Sequence, residues 1–363
     1  MKKILILGGY GGVGKSLSLN LLKYTDAEIT ISGHNLEKVN KQINFLKDSF
    51  PNKKILPAFI DVTKKESIQV AFKNIDLVIV TTSTPDCIDS IAEVALQSNT
   101  DLIDIFVRGD VVDKLEKYRT QIIKKNRIFI TQAGFHPGLP APFIKHALDQ
   151  FDKLLTANIA MAMNSKFEKP ESTYEIIHEA GENNSFVLKD NVWKKANYKD
   201  AIEIEFSPDF GKLKCFPLSM KEIIPLQKEL GIPNMGVYVA GFNPFVDNFV
   251  FPLIVILQYF KKGFGTKFCG KLLQWGINTF YNNKSGIEFK VLAQGIKNGI
   301  EKKYTLTAYH PDPYEFTAIA VIACLKQYFL NQFEPNLYLM GNIVDHKRIL
   351  KDLKQMGIQF YEV

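Results

Sequence analysis

Gly9-Tyr10-Gly11-Gly12-Val13-Gly14-Lys15-Ser16 comes directly after a short apolar run, Lys3 to Leu7, and ahead of a segment whose leucines recur at helical spacing. A glycine-rich turn between a strand and a helix gathers backbone N–H groups at the positive end of the helix, which is a natural seat for phosphate. The stretch satisfies two motifs at once, GxGxxG and GxxxxGKS. In the dinucleotide reading Gly9 allows the tight turn, Gly11 lets the backbone approach a diphosphate, and Gly14 permits close helix–strand packing. In the P-loop reading the same amides wrap nucleotide phosphates, while Lys15 reaches the terminal ones and Ser16 binds magnesium.

Residues further along weigh on that choice. A dinucleotide loop is followed about 20 residues later by the end of the second strand, where a ribose is read. Ser32-Gly33-His34-Asn35 falls at that point, and Ile60-Asp61-Val62 closes a third strand where an adenine contact is expected. Asp61 also passes for a magnesium-side acid, so a P-loop NTPase stays as an alternative. An NAD site places a carboxylate at the end of the second strand to accept the ribose 2′-hydroxyl. No acid stands there, and His34, Asn35 and Lys38 are donors, so NADP is favoured as cofactor over NAD.

Working outward, six apolar runs of strand length alternate with helix-period segments: Lys3 to Leu7, Glu28 to Ser32, Ile55 to Ile60, Asp76 to Val80, Asp101 to Ile105 and Arg127 to Thr131. This pattern builds a parallel sheet covered by helices, with helical segments such as Leu36 to Phe50 and Val111 to Lys125 between the runs. Turn residues at Gly134 to Gly138 interrupt it, and Pro140 and Pro142 then open a helix. Longer strand-like segments follow, at Leu155 to Met163, Ala201 to Phe206 and Met235 to Phe242. Gly286 to Gln294 and Glu301 to His310 flank Asn298-Gly299, a hairpin signal. The expected class is α/β: a Rossmann dinucleotide-binding domain over 1–135, a second α+β mixed-sheet substrate and dimerisation domain over 136–330, and a C-terminal segment, 331–363, returning to the Rossmann domain.

The chain has 363 residues, enough for two or three units at about 150 residues per domain. At 46% hydrophobic and 23% charged it has the composition of a folded globular protein, which excludes disordered, collagen-like and polytopic membrane classes. The net charge of +7 is spread in ones and twos, and only four residues are arginine, so no nucleic-acid footprint is evident and little guanidinium is available for clamping phosphate. Cys87, Cys215, Cys269 and Cys324 form no CxxC pair, and the apolar run near the start is shorter than a signal peptide requires. Both point to a cytoplasmic protein.

Several strings taken in order resemble the saccharopine dehydrogenase-like family of two-domain oxidoreductases. They are GGYGGVG after the first strand, SGHN after the second, Ile60-Asp61-Val62, Thr81-Thr82-Ser83-Thr84-Pro85 after the fourth and AGFHPGLP after the sixth. The hairpin at Asn298-Gly299, TAYHPDPYEFTAIA and VDHKRILKDLKQMGI extend the match over nearly the whole chain. The resemblance implies NAD(P)-linked hydride transfer to or from a C=N/C–N bond, or a related C=O or C=C bond, of a small-molecule substrate, and a homodimer. It implies that Gly9, Gly11, Gly12, Val13 and Gly14 hold the pyrophosphate, Ser32, Gly33, His34 and Asn35 the adenosine ribose, and Asp61 and Val62 the adenine. Thr82, Ser83 and Pro85 would border the nicotinamide ribose. The family often carries arginine where this chain has His34. A non-catalytic NAD(P)-binding redox regulator is a further alternative.

Hydride transfer needs a proton donor near the developing anion, at strand C-terminal ends. Asp104 and Arg108 after the fifth strand and His136 after the sixth are the catalytic candidates. Each has a plainer reading: Asp104 caps a loop, Arg108 pairs with Asp110, and His136 is a turn residue beside Pro137. No tyrosine has a lysine four residues on, so the Tyr-x-x-x-Lys mechanism of short-chain dehydrogenases is excluded. The six histidines form no HExxH, and no GxSxG is present, so no metal and no serine nucleophile are expected. Residues 249–280 mix Phe260, Phe264, Phe268 and Trp275 with lysines. Core or subunit contact is favoured there over membrane-surface contact.

Overall fold

The structure, a computed structural model, describes residues 2–182, 185–281, 286–330 and 333–363. In chain order the first elements are β1 (Lys3–Leu7), α1 (Gly12–Tyr24), β2 (Glu28–Gly33), α2 (Leu36–Ser49), β3 (Ile55–Phe59), α3 (Lys65–Ala71), β4 (Leu77–Val80), α4 (Ile88–Gln97), β5 (Asp101–Asp104), α5 (Gly109–Glu116), α6 (Arg119–Lys124) and β6 (Ile128–Thr131). There follow α7 (Pro140–Leu148), β7 (Lys153–Asn164), α8 (Tyr174–Glu182), β8 (Ser185–Lys189), β9 (Val192–Ala196), β10 (Ile202–Glu205), β11 (Lys212–Pro217), α9 (Leu226–Leu230) and β12 (Asn234–Ala240). Next are α10 (Phe251–Phe260), α11 (Thr266–Thr279), β13 (Gly286–Lys297), β14 (Ile300–His310), α12 (Pro313–Tyr328), β15 (Asn336–Leu339), α13 (Met340–Ile343), α14 (His346–Gln355) and β16 (Gln359–Glu362).

Two units result. The first comprises Met1–Leu139 and Tyr314–Val344, the second Pro140–Pro313 and Asp345–Val363. In the first, seven strands run in the order β15-β6-β5-β4-β1-β2-β3, all pairings parallel. The central strands read as unbroken apolar runs because helices cover both faces of such a sheet. Leu5, Leu7, Val78 and Val80 pack against Ile88 and Ile91 of α4, with Phe106 and Phe129 beside them. After β3 the chain crosses β1 to form β4, so the strand order reverses direction between β1 and β4. Ligands of open α/β sheets bind outside the strand ends at that reversal.

The second unit is built on a mixed sheet in the order β10-β11-β12-β7-β13-β14-β16, with the β8–β9 hairpin joined to β12. Asn298 (φ 52°) and Gly299 (φ 76°) turn the β13–β14 hairpin in the left-handed region, and the Asp152 carboxylate accepts the Asn298 amide at 2.6 Å. One face of the sheet carries Ala160, Val187, Ile204, Cys215 and Tyr238. A separate helical cluster gathers Ile177 of α8, Ile254 of α10 and Cys269, Leu273 and Ile277 of α11.

The partition differs from the expected 1–135, 136–330 and 331–363. The return to the first unit begins earlier, at Tyr314, because α12 is apolar nearly all round and is buried there. Its Tyr328 hydroxyl donates to the Asp101 carboxylate at 2.5 Å. The last nineteen residues, 345–363, leave the first unit again. There β16 pairs antiparallel with the edge of β14, and His346 of α14 bonds Asp149 at 3.0 Å. Asn331 and Gln332, which begin the expected returning segment, lie outside the described residues. Val111 to Lys125, expected as one helix, is two, α5 and α6, interrupted at Lys117 and Tyr118. No helix among the described residues is long and apolar enough to cross a membrane.

Candidate functional site

The glycine turn sits at the reversal point of the parallel sheet. Gly8 takes φ +83°, and the amides of Gly8 and Gly9 both donate to the Ser32 carbonyl, at 3.2 and 3.0 Å. The left-handed residue of the turn is therefore Gly8, one before the Gly9 read as allowing the tight turn. Gly9 is constrained differently: a Cβ there would meet Ile31 Cγ2 at 2.7 Å. Gly14 is held to glycine by the crossing of helix and strand, since its Cβ would stand 2.2 Å from the Gly8 carbonyl oxygen. Gly11 caps α1 without any side-chain hydrogen bond, and the first turn of the helix contains no acidic residue. Gly12 and Val13 thus open a helix whose positive end faces no carboxylate of its own, the arrangement that accepts a diphosphate.

The P-loop alternative fits this geometry poorly. The helix has already begun at Gly12, so Lys15 is its fourth residue, with an exposed side chain, instead of standing where the loop meets the helix. Asp61, the one acid offered to magnesium in that reading, accepts the hydroxyl and amide of Thr63 at 2.6 and 3.1 Å, and Lys64 stands 3.7 Å away. The two bonds from Thr63 hold its pKa below the usual carboxylate range. Among the described residues, no group of three or more His, Cys, Asp or Glu is placed to hold a metal.

The remaining expected coenzyme contacts are distributed around the turn. Ser32 is a correction: it is fully buried and its hydroxyl donates to the Ile6 carbonyl at 2.8 Å, so it ties β2 to β1 and does not face outward. Gly33 lies under the Tyr10 ring, which a Cβ at that position would strike. The Tyr10 hydroxyl meets the exposed His34 ring at 3.3 Å, and the Asn35 side-chain Oδ1 caps α2 by accepting the Lys38 amide at 3.0 Å. Val62 is half-buried against the core of the unit. Thr82 stands beside the glycine turn, its methyl 3.0 Å from where a Gly8 Cβ would be. Its hydroxyl accepts from Thr84 at 2.8 Å, Ser83 is exposed, and Pro85 is buried at the start of a single tight turn. The loops after β1, β2, β3 and β4 therefore carry the coenzyme candidates at the C-terminal ends of the parallel strands.

The proton-handling candidates are placed less openly than expected. Asp104 has no exposed surface, and one carboxylate oxygen accepts the amides of Phe106 and Gln132 at 3.1 and 3.3 Å. It fastens the loops after β5 and β6 to each other. Burial raises its pKa to about 6, against the opposing pull of the Thr131 hydroxyl and those two amides. Arg108 binds Asp110 through two parallel bonds of 2.8 and 2.6 Å and Asp86 at 2.8 Å, with Lys114 closing the cluster at 3.1 Å from Asp110. Its guanidinium joins the β4 and β5 loops, which is the plainer of its two readings. Asp104, fully buried, does not rim a cleft, whereas Arg108 stays partly exposed in the loop after β5. His136 keeps some exposed area, yet its ring lies deep enough that desolvation lowers its pKa to about 3, leaving a neutral imidazole.

Sequence reasoning missed what supports the turn from behind. Tyr314, at the start of α12, lays its ring against Gly12, where a Cβ would come within 2.9 Å. The next residue, Glu315, accepts from Asn20 of α1 at 2.7 Å. The string TAYHPDPYEFTAIA contains both residues, but nothing in local spacing tells which helix they meet.

No family model and no curated protein matches the sequence. Solved structures do match. Apo saccharopine dehydrogenase (L-Glu forming) from Saccharomyces cerevisiae aligns over 100% of both chains at 13% identity with a TM-score of 0.71. A mutant meso-dapdh from Clostridium tetani E88 aligns over 98% of this chain and 99% of its own, at 12% identity and a TM-score of 0.49. The DAP dehydrogenase of C. glutamicum does so over 98% and 99%, at 11% and 0.49. In fold the chain is thus similar, over its whole length, to saccharopine dehydrogenase.

Proposed function

We propose that the protein is an NAD(P)-dependent oxidoreductase of saccharopine dehydrogenase type, acting on a C=N/C–N bond, or a related C=O or C=C bond, of a small metabolite. The observation that carries this reading is the glycine turn at the reversal of the parallel sheet, opening α1 with no side-chain cap and no acid in the helix's own first turn. The fold shared with saccharopine dehydrogenase supports it. Gly9, Gly11, Gly12, Val13 and Gly14 would hold the coenzyme diphosphate. Tyr10, His34 and Asn35 would flank the adenosine ribose, Asp61 and Val62 the adenine, and Thr82, Ser83 and Pro85 the nicotinamide ribose. The coenzyme supplies hydride chemistry when bound; the chain's own part is to seat it, to orient its ring and to keep water from the reacting face.

NADP is the preferred coenzyme in this reading. The stretch that ends β2, Gly33-His34-Asn35, carries no carboxylate to claim the ribose 2′-hydroxyl, and His34 and Lys38 are donors for a 2′-phosphate, with Glu37 in the first turn of α2 the one acid beside them in sequence. The test is turnover: NADPH offered with amino-acid-derived imines and keto acids should lose its near-ultraviolet absorbance with at least one of them. Binding of NADPH without turnover of any would favour instead a non-catalytic redox regulator. The engagement of Arg108 by Asp86 and Asp110 and the burial of Asp104 are the features that speak for that second reading.

A further inference from the structure

In α10 the usual arrangement of a surface helix is inverted. Its one polar residue before Tyr259, Gln258, is buried, and its side-chain amide donates to the Phe264 carbonyl at 3.1 Å while accepting the Gly263 amide at 2.7 Å. The residues spaced at i, i+3, i+4 and i+7 on the opposite side, Pro252, Val255, Ile256 and Tyr259, are all exposed and none is charged. A water-facing helix normally shows the reverse pattern. The apolar surface continues through the turn into α11. Tyr259 is 86% exposed, Phe260 79%, Phe249 68% and Phe268 61%, with Phe264 and Trp275 more than half exposed. Core packing, which with subunit contact was the reading favoured on sequence grounds, therefore does not account for these side chains.

The charge around this surface has one sign. No acidic residue occurs between Asp247 and Glu288, whereas Lys261, Lys262, Lys267 and Lys271 all fall within the turn and α11. Lys262 pairs with Glu182 at 2.8 Å; no carboxylate pairs with Lys261, Lys267 or Lys271 among the described residues. Lys195, Lys261 and Lys262 line one hollow with Glu182 and Tyr259. Exposed aromatic side chains interleaved with lysines match the chemistry of a lipid interface, where rings sit at headgroup depth and ammonium groups meet phosphate. A second copy of the same surface would bring like charges together across a two-fold contact, which disfavours self-association here.

We propose that the α10–α11 hairpin docks the protein onto an anionic bilayer surface, with Tyr259, Phe260, Phe264 and Phe268 entering the headgroup region and Lys261, Lys267 and Lys271 contacting lipid phosphates. The helix lies on the membrane and does not span it, since α10 is too short to cross.

Sedimentation with vesicles tests this on the full chain. Vesicles of phosphatidylcholine with added phosphatidylserine should pellet the protein, phosphatidylcholine alone should not, and salt should weaken the binding. F260S/F264S, which alters exposed side chains, should lower the affinity roughly tenfold or more while leaving the melting curve in place. K261E/K267E should remove the preference for anionic vesicles. In a W193F background the fluorescence of Trp275 should shift to the blue on vesicle binding. Protein that stays in the supernatant with anionic vesicles would overturn the proposal, as would unchanged pelleting of F260S/F264S or equal pelleting by both vesicle types. A lipid-free dimer dissociated by F260S/F264S would assign the surface to a second copy and overturn it too.

Discussion

Gly14 lies so close to Gly8 that a Cβ on the first would stand 2.2 Å from the carbonyl oxygen of the second. The contact is with backbone, which cannot rotate away, so the crossing of α1 over β1 must open to admit a side chain. Gly14→Ala should therefore cost stability on the order of 1–3 kcal/mol, the range of other overpacked sites. It should also weaken dinucleotide binding roughly tenfold or more, because the amides at the start of α1 move with the helix. Thermal melts and coenzyme titration of the variant measure both. An unchanged melt would mean that the turn is looser than its contacts require.

The buried Asp104 carboxyl makes stability depend on pH. Its pKa rises from 3.8 to about 6 on burial, so the folded protein binds this proton more tightly than the unfolded chain. The contribution is complete at pH values below its ordinary pKa and is lost as pH rises through about 6, amounting to at most about 3 kcal/mol. Asp104→Asn keeps an oxygen for the amides of Phe106 and Gln132 and has no charge to bury. Denaturation at intervals between about pH 4 and pH 7 should show the wild type losing stability relative to the variant. Parallel curves would contradict the assignment.

Tyr328 anchors the returning helix by donating to Asp101, which also accepts the Ile128 amide at 3.0 Å. Tyr328→Phe removes that donor from a nearly buried carboxylate and should destabilise the first unit by about 1–3 kcal/mol. Urea titration reads the change. No measurable loss would mean that water or Arg127 replaces the hydroxyl.

Coenzyme choice turns on His34 in the proposed reading. His34→Arg should tighten NADPH relative to NADH by supplying a permanent cation, and His34→Asp should reverse the order by repelling the 2′-phosphate. The ratio of the two dissociation constants is the readout. A ratio that does not move in either variant would remove His34 from the ribose site.

Much of the first unit was legible because its strands are short apolar runs with glycine, asparagine or aspartate at their ends. Lys3–Leu7 and Ile128–Thr131 show this, and both lie where periodicity placed them to within a residue. The β8–β9 hairpin was not, since Val192-Trp193-Lys194-Lys195-Ala196 lacks clean alternation and its turn relies on Asp190 and Asn191 taking φ of 52° and 64°. Nor was the fate of the C-terminus. A helix followed by a strand has the same texture whether it covers a parallel sheet or, as α14 and β16 do, extends a mixed one. At the candidate site the glycine turn could be read from spacing alone. The inward turn of Ser32, the burial of Asp104 and the Tyr314 ring on Gly12 depend on contacts between segments far apart in the chain, which order along the sequence does not reveal.

In the proposed reading the turn leaving β1 seats a dinucleotide. Calorimetric titration of the intact protein and of Lys15→Ala with NADPH, NADH and ATP tests it most directly. Saturable binding of NADPH, weaker binding of NADH, none of ATP, and the same NADPH affinity in the lysine variant are expected. Binding of ATP that is lost with Lys15, or failure of either dinucleotide to bind, would contradict it.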